Sequence, residues 1–176
     1  LQQRIDVFEQ VQDAYEQARI GTMENNITKQ QQAYTAIVEL DPLREDASQA
    51  LAALNKQQTD TQFASLLAQA NRAIEDKNYG VANRVLTEAA AIKANSEEVR
   101  VISQRLKTLI AGENLNKVEE QVAIFISADE WETVSLLAAK GLTQFPTSTS
   151  LLKADKNAKA IIESRRQIAN FQQRPE

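Results

Sequence analysis

Three polar turns stand at equal intervals along this chain, and that spacing constrains its fold more than any other feature. The turns are Glu24-Asn25-Asn26, Asp76-Lys77-Asn78 and Ala128-Asp129-Glu130. Each closes an apolar stripe with three- and four-residue spacing, the signature of an amphipathic helix. The stripes are Val11, Ala14, Tyr15 and Ala18, then Phe63, Leu66, Leu67, Ala70, Ala73 and Ile74, then Leu115, Val118, Val122, Phe125 and Ile126. Just past the turns come Ile27, Tyr79 and Trp131, 52 residues apart. The same offset joins Tyr34, Leu86 and Ala138, then Ile37, Ala89 and Gly141, then Pro42, Ala94 and Pro146. Upstream of the turns it joins Ala18, Ala70 and Val122. An offset kept on both sides of a turn implies one supersecondary unit used three times, and repeats of this size mean helical arrays.

Composition agrees with helix. The 176 residues include 26 Ala and 19 Gln, both compatible with long helices, and only 3 Pro and 4 Gly to break them. The expected class is all-α, with antiparallel helical hairpins stacked as a short α-solenoid in one domain over residues 1–176. Its units lie near 11–56, 63–110 and 115–171. The second helix of each unit is expected over 27–40, 81–92 and 132–144, with Asn26, Asn78 and Asp129 as N-caps. Asp129 and Glu132 have capping-box spacing. A further helix follows at 43–56, 97–111 and 151–171. Asp41 with Pro42 is expected to open the first of these, and Asn95-Ser96 and Thr147-Ser148 the others. The last carries Leu152, Ile161, Ile162 and Ile168 against a charged outer side, as a capping helix would. The tail Gln172–Glu176 is expected to be disordered. Between Asn55 and Gln62 the chain is wholly polar, and Leu54 and Phe63 fall on opposite sides of a helix, nine residues or about 180° apart. Either the helix breaks there, or one long helix packs each end on a different neighbour. In the second unit Gly112 favours a break.

The unit pattern resembles the tetratricopeptide (TPR) repeat. That family pairs two antiparallel helices, with a small residue in the first, a large residue opening the second, a small–large–small triplet along it, and Pro closing it. Ala70, Tyr79, Ala82, Leu86 and Ala89 match best, with Ala94 where Pro is usual. Val122, Trp131, Val134, Ala138, Gly141 and Pro146 take these places in the third unit, and Ala18, Ile27, Gln30, Tyr34, Ile37 and Pro42 in the first. The likeness runs from about Val11 to Pro146. It departs from the family in its period, 52 residues against about 34, and in Gln30, where a small residue belongs. The resemblance implies a protein-binding face on the first helix. Asn71 falls where the family's carboxylate clamp has Asn, while Leu67 and Glu119 stand where that clamp has Lys. The candidate partner face is Asn71, Arg72, Glu75 and Arg84.

The chain holds no Cys and no His. That removes disulfide frameworks, Cys/His zinc sites, Cys nucleophiles and Ser–His–Asp triads. A net charge of −4 gives no basic footprint for nucleic acid, and no apolar run approaches the ~20 residues of a membrane span. Glu97, Glu98, Glu119, Glu120, Glu130 and Glu132 read as capping or solvated carboxylates. Trp131 and Tyr79 read as hairpin-filling aromatics. No metal or cofactor is expected. The expected function is a non-enzymatic protein–protein interaction scaffold, whose partner is another protein or a peptide; weak self-association is compatible with it. The alternative is a structural spacer or stalk within a larger, membrane-anchored bacterial protein. The absence of an initiator Met points to an excised domain. With the Gln and Ala richness, it resembles extracytoplasmic bacterial domains, which favours the periplasm over the cytoplasm.

Overall fold

The structure is a computed structural model describing residues 2–172, with side chains from residue 5 onward. Seven helices run in order: α1 (Gln2–Met23), α2 (Ile27–Leu40), α3 (Glu45–Glu75), α4 (Tyr79–Ile92), α5 (Glu97–Ser127), α6 (Trp131–Gln144) and α7 (Thr149–Gln172). No strand occurs among the described residues. The fold is all-α, built from antiparallel hairpins. The contacts divide it into two compact units, one ending at Ser103 and the other beginning at Gln104. Residues 173–176 of the expected disordered tail lie outside the described residues, and Gln172 closes α7.

The three turns share their backbone hydrogen bonds. After α1, the N–H of Asn26 reaches the carbonyl of Gly21 at 2.8 Å and that of Asn25 reaches Thr22 at 3.1 Å. Asn78 to Ala73 and Lys77 to Ile74 repeat the pattern, as do Glu130 to Phe125 and Asp129 to Ile126. This is the Schellman closure, which places one residue in the left-handed region. Those residues are Asn25, Lys77 and Asp129, with φ of 51°, 55° and 62°.

Asn26 and Asn78 cap α2 and α4 by accepting the N–H of Lys29 and Val81. Asp129 does not cap α6. Glu130 holds that position, without a side-chain cap bond, because Asp129 is already the left-handed residue of the turn. The expected Asp129–Glu132 capping box is therefore absent.

The second turns also match. Asp41, Lys93 and Phe145 each donate N–H to the residue four back, and Arg44, Ser96 and Ser148 each donate to the residue three back. Asp41 therefore ends α2 and does not open α3. Pro42 sits at the second position of a β-turn, where its fixed φ fits, and α3 begins at Glu45 with Arg44 as N-cap. Ser96 and Ser148 do cap, accepting the N–H of Val99 and Leu151.

The polar stretch from Asn55 to Gln62 lies inside an unbroken α3. The N-terminal half of α3 buries Ala47 with Val11 and Ile37 of α1 and α2. Its C-terminal half buries Phe63, Ala70, Ala73 and Ile74 beside α4. The polar middle is anchored by Gln31 of α2, whose amide donates to Asn55 and Gln58, each at 2.8 Å. At the far end Lys93 lies 4.5 Å above the Phe63 ring and 2.7 Å from Asp60. The break expected at Gly112 does not occur. α5 continues through it, and no glycine among the described residues adopts positive φ.

In the second unit Val122, Val134, Ala138, Leu151, Ala154 and Ala158 form the core, with Trp131 packed against it, half-buried. α7 turns Leu151, Ala154 and Ala158 inward, while Leu152 and Ile168 are exposed. The face expected from Leu152 and Ile168 is thus rotated, and only Ile161 and Ile162 of that set are half-buried.

Candidate partner-binding face

The last turns of α3 carry Asn71, Arg72 and Glu75 on the side opposite Ala70, Ala73 and Ile74, which face inward. Asn71 is half-buried, and Arg72 and Glu75 are exposed. Three- and four-residue spacing places them on one helix face. Arg84, on α4, is exposed and pairs with Glu88 along its own helix at 3.1 Å. That bond leaves Arg84 unlinked to α3, and an exposed pair of this kind contributes little to stability. Arg72 also lies where a cation complements the C-terminal dipole of α3.

Two shallow grooves lie where the sequence drew no attention. One, of about 270 Å³, runs between α1 and α2 and is lined by Ala14, Gln17, Lys29, Gln32, Ala33 and Ala36. Another, of about 150 Å³, runs between α5 and α6, where Val118, Gln121, Leu137 and Lys140 take the places of Ala14, Gln17, Ala33 and Ala36 two repeat offsets on. The signal was present: Gln17, Gln69 and Gln121 stand 52 residues apart, at a position where no packing argument requires Gln.

Some of the remaining polar groups link one helix to another, and others act within their own helix. The Tyr15 hydroxyl donates to Asp46 at 2.6 Å, and the Tyr15 ring meets Tyr34 edge-on. That hydrogen bond raises the Tyr15 pKa and lowers that of Asp46. Asp129 accepts from Arg165 and from the Trp131 indole, so its carboxyl is held below the usual range, first by Arg165 and then by Trp131. Glu97 is lowered by Arg100, and Glu98 by the Ser96 hydroxyl. Glu119 accepts the Ser148 hydroxyl at 2.9 Å, and Glu130 that of Thr133. Glu120 and Glu132 are exposed. Among the described residues no group of three or more metal-binding side chains gathers, and no helix is long and apolar enough to cross a membrane. Comparison with protein-family models, curated proteins and solved structures finds no match for this chain.

Proposed function

We propose that the chain is a non-enzymatic protein–protein interaction scaffold of TPR-like character, which holds another protein or a peptide on a face of its helical repeats. The observation that carries this reading is the groove between hairpin helices, found at matching positions of the first and third hairpins, floored by small or aliphatic residues and edged by Gln and Lys. A pre-formed, mostly apolar groove with a few polar groups at its edge suits an extended or helical peptide. The proposed partner face, Asn71, Arg72, Glu75 and Arg84, belongs to the middle hairpin, at the end of α3 and on α4. The acidic balance of the chain favours a protein over a nucleic acid.

Cross-linking capture with wild-type protein and with an Asn71→Ala/Arg72→Glu variant tests this. A partner retained by the wild type and lost by the variant supports the reading. Equal capture by both contradicts the assigned face.

The spacer reading draws on a different observation. α3 passes from one hairpin to the next without a break, so those hairpins share a helix in place of a flexible linker. A domain that holds other modules apart needs such stiffness.

A further inference from the structure

Within the second unit α5 and α7 part along a crease of about 250 Å³. Its floor is Val122, Leu151 and Ala154, all buried, and its lip is Ile126, 38% exposed. Ala123 and Ser150 leave its walls low. At its mouth stands Glu119, half-buried. One of its carboxylate oxygens accepts from the Ser148 hydroxyl, which itself caps α7 through the Leu151 N–H. Glu119 is thereby fixed in place, and it forms no ion pair with a Lys or Arg among the described residues.

The first hairpin shows the same position closed. Two repeat offsets back, Glu119 and Ser150 correspond to Tyr15 and Asp46, and there the Tyr15 hydroxyl bridges to Asp46 at 2.6 Å. A tyrosine side chain thus spans this position in the first hairpin, whereas in the third the Glu119–Ser148 bond at the mouth leaves the apolar floor open. A cavity of about 150 Å³ already admits a benzene-sized group, so this one has room for a branched aliphatic side chain.

We propose that the α5–α7 crease is an anchor site for an amphipathic helix of a partner protein. The helix inserts one aliphatic side chain over Val122 and Leu151, and places a Lys or Arg, one turn along, against Glu119. The proposal rests on the scaffold reading and names the chemistry of its partner. The basic residue follows from a pre-positioned carboxylate that no Lys or Arg pairs with among the described residues, and from the chain's net charge of −4, which repels acidic segments.

The test is selection of a displayed library of amphipathic helical peptides, randomised at alternate-face positions, on the full chain. Enriched peptides are expected to share an aliphatic residue with Lys or Arg three or four positions away. Ala123→Phe, which fills the crease from an exposed helical position, is expected to weaken them about tenfold or more. Glu119→Lys is expected to select acidic residues in place of basic ones. Circular dichroism of both variants verifies folding, and Ala123→Phe keeps the test intact should Glu119→Lys disturb the α7 cap. No enrichment, enrichment without the aliphatic–basic pair, or binding indifferent to Ala123→Phe overturns the proposal. Capture that depends on Asn71 and Arg72 but not on Ala123 would leave the scaffold standing and remove this site alone.

Discussion

At the residue scale, side-chain volumes trade against one another at equivalent positions. Ile37 packs with Ala47 and Ala14 in the first hairpin, while Gly141 meets Leu151 and Val118 in the third. The middle hairpin has Ala89 with Val99 and Leu66 at those places. One space is filled from opposite sides. A Cβ added at Gly141 would lie 2.8 Å from both Leu151 Cδ1 and Val118 Cγ1, whereas one at Gly112 meets nothing within 4 Å. Gly141→Ala should therefore lose stability, because overpacking of about 1–3 kcal/mol exceeds the helix gain of about 1 kcal/mol. Gly112→Ala should gain about 0.5–1 kcal/mol. Urea denaturation of the two variants checks the contrast, and a shift of equal sign in both would refute the packing. Trp131 is half-buried, so Trp131→Ala should cost about 2–3 kcal/mol, below the value for a fully enclosed Trp. No loss on denaturation would detach Trp131 from the core.

At the element scale, the turns show how far the sequence could be read. Helix existence was legible because apolar stripes and Asn-rich turns agree. The first caps were legible because Asn26 and Asn78 hold the N-cap place. Asp129 misled because Asp suits both an N-cap and a left-handed turn residue. The repeat itself corrects it, since the offset from Asn26 and Asn78 lands on Glu130. The same holds in α7, where the offset from Ala47 and Val99 lands on Leu151, not Leu152. Gly112 misled because Gly ends helices only where positive φ or a capping bond is present, and neither occurs in α5. The proposed partner face was legible only as a set of polar residues. The α5–α7 crease was not legible at all, because it depends on which side chains meet across helices.

Among the described residues in the left-handed region, Lys77 alone lacks a short polar side chain to ease that conformation. Lys77→Gly should stabilise by about 1 kcal/mol. A thermal melt with no upward shift would contradict the strain.

At the scale of the whole molecule, exposed hydrogen bonds and ion pairs tune a fold set by helix packing. Asp46, Asp60 and Asp129 all hold pKa values below the ordinary one, first through Tyr15, Lys93 and Arg165 respectively. The unfolded chain then binds more protons in acid, so stability from these groups is complete above the unfolded carboxylate value near 3.8 and fades as pH falls through the folded values. Tyr15 runs the other way. Its raised pKa means its contribution is present below the ordinary tyrosine value of 10.0 and is lost as pH rises through the folded one. Asp129→Asn should flatten the acid limb of a denaturation-midpoint profile, and an unchanged limb would deny Asp129 that role.

What gives unit one its form is a single helix that changes faces halfway. Native-state amide hydrogen exchange through α3 measures this most directly. Residues 55–62 should exchange as slowly as the packed halves on either side, since their backbone bonds are continuous and Gln31 braces them. Exchange at 55–62 as fast as in the 76–78 turn would show a broken helix, and would remove the shared element on which the hairpins are strung.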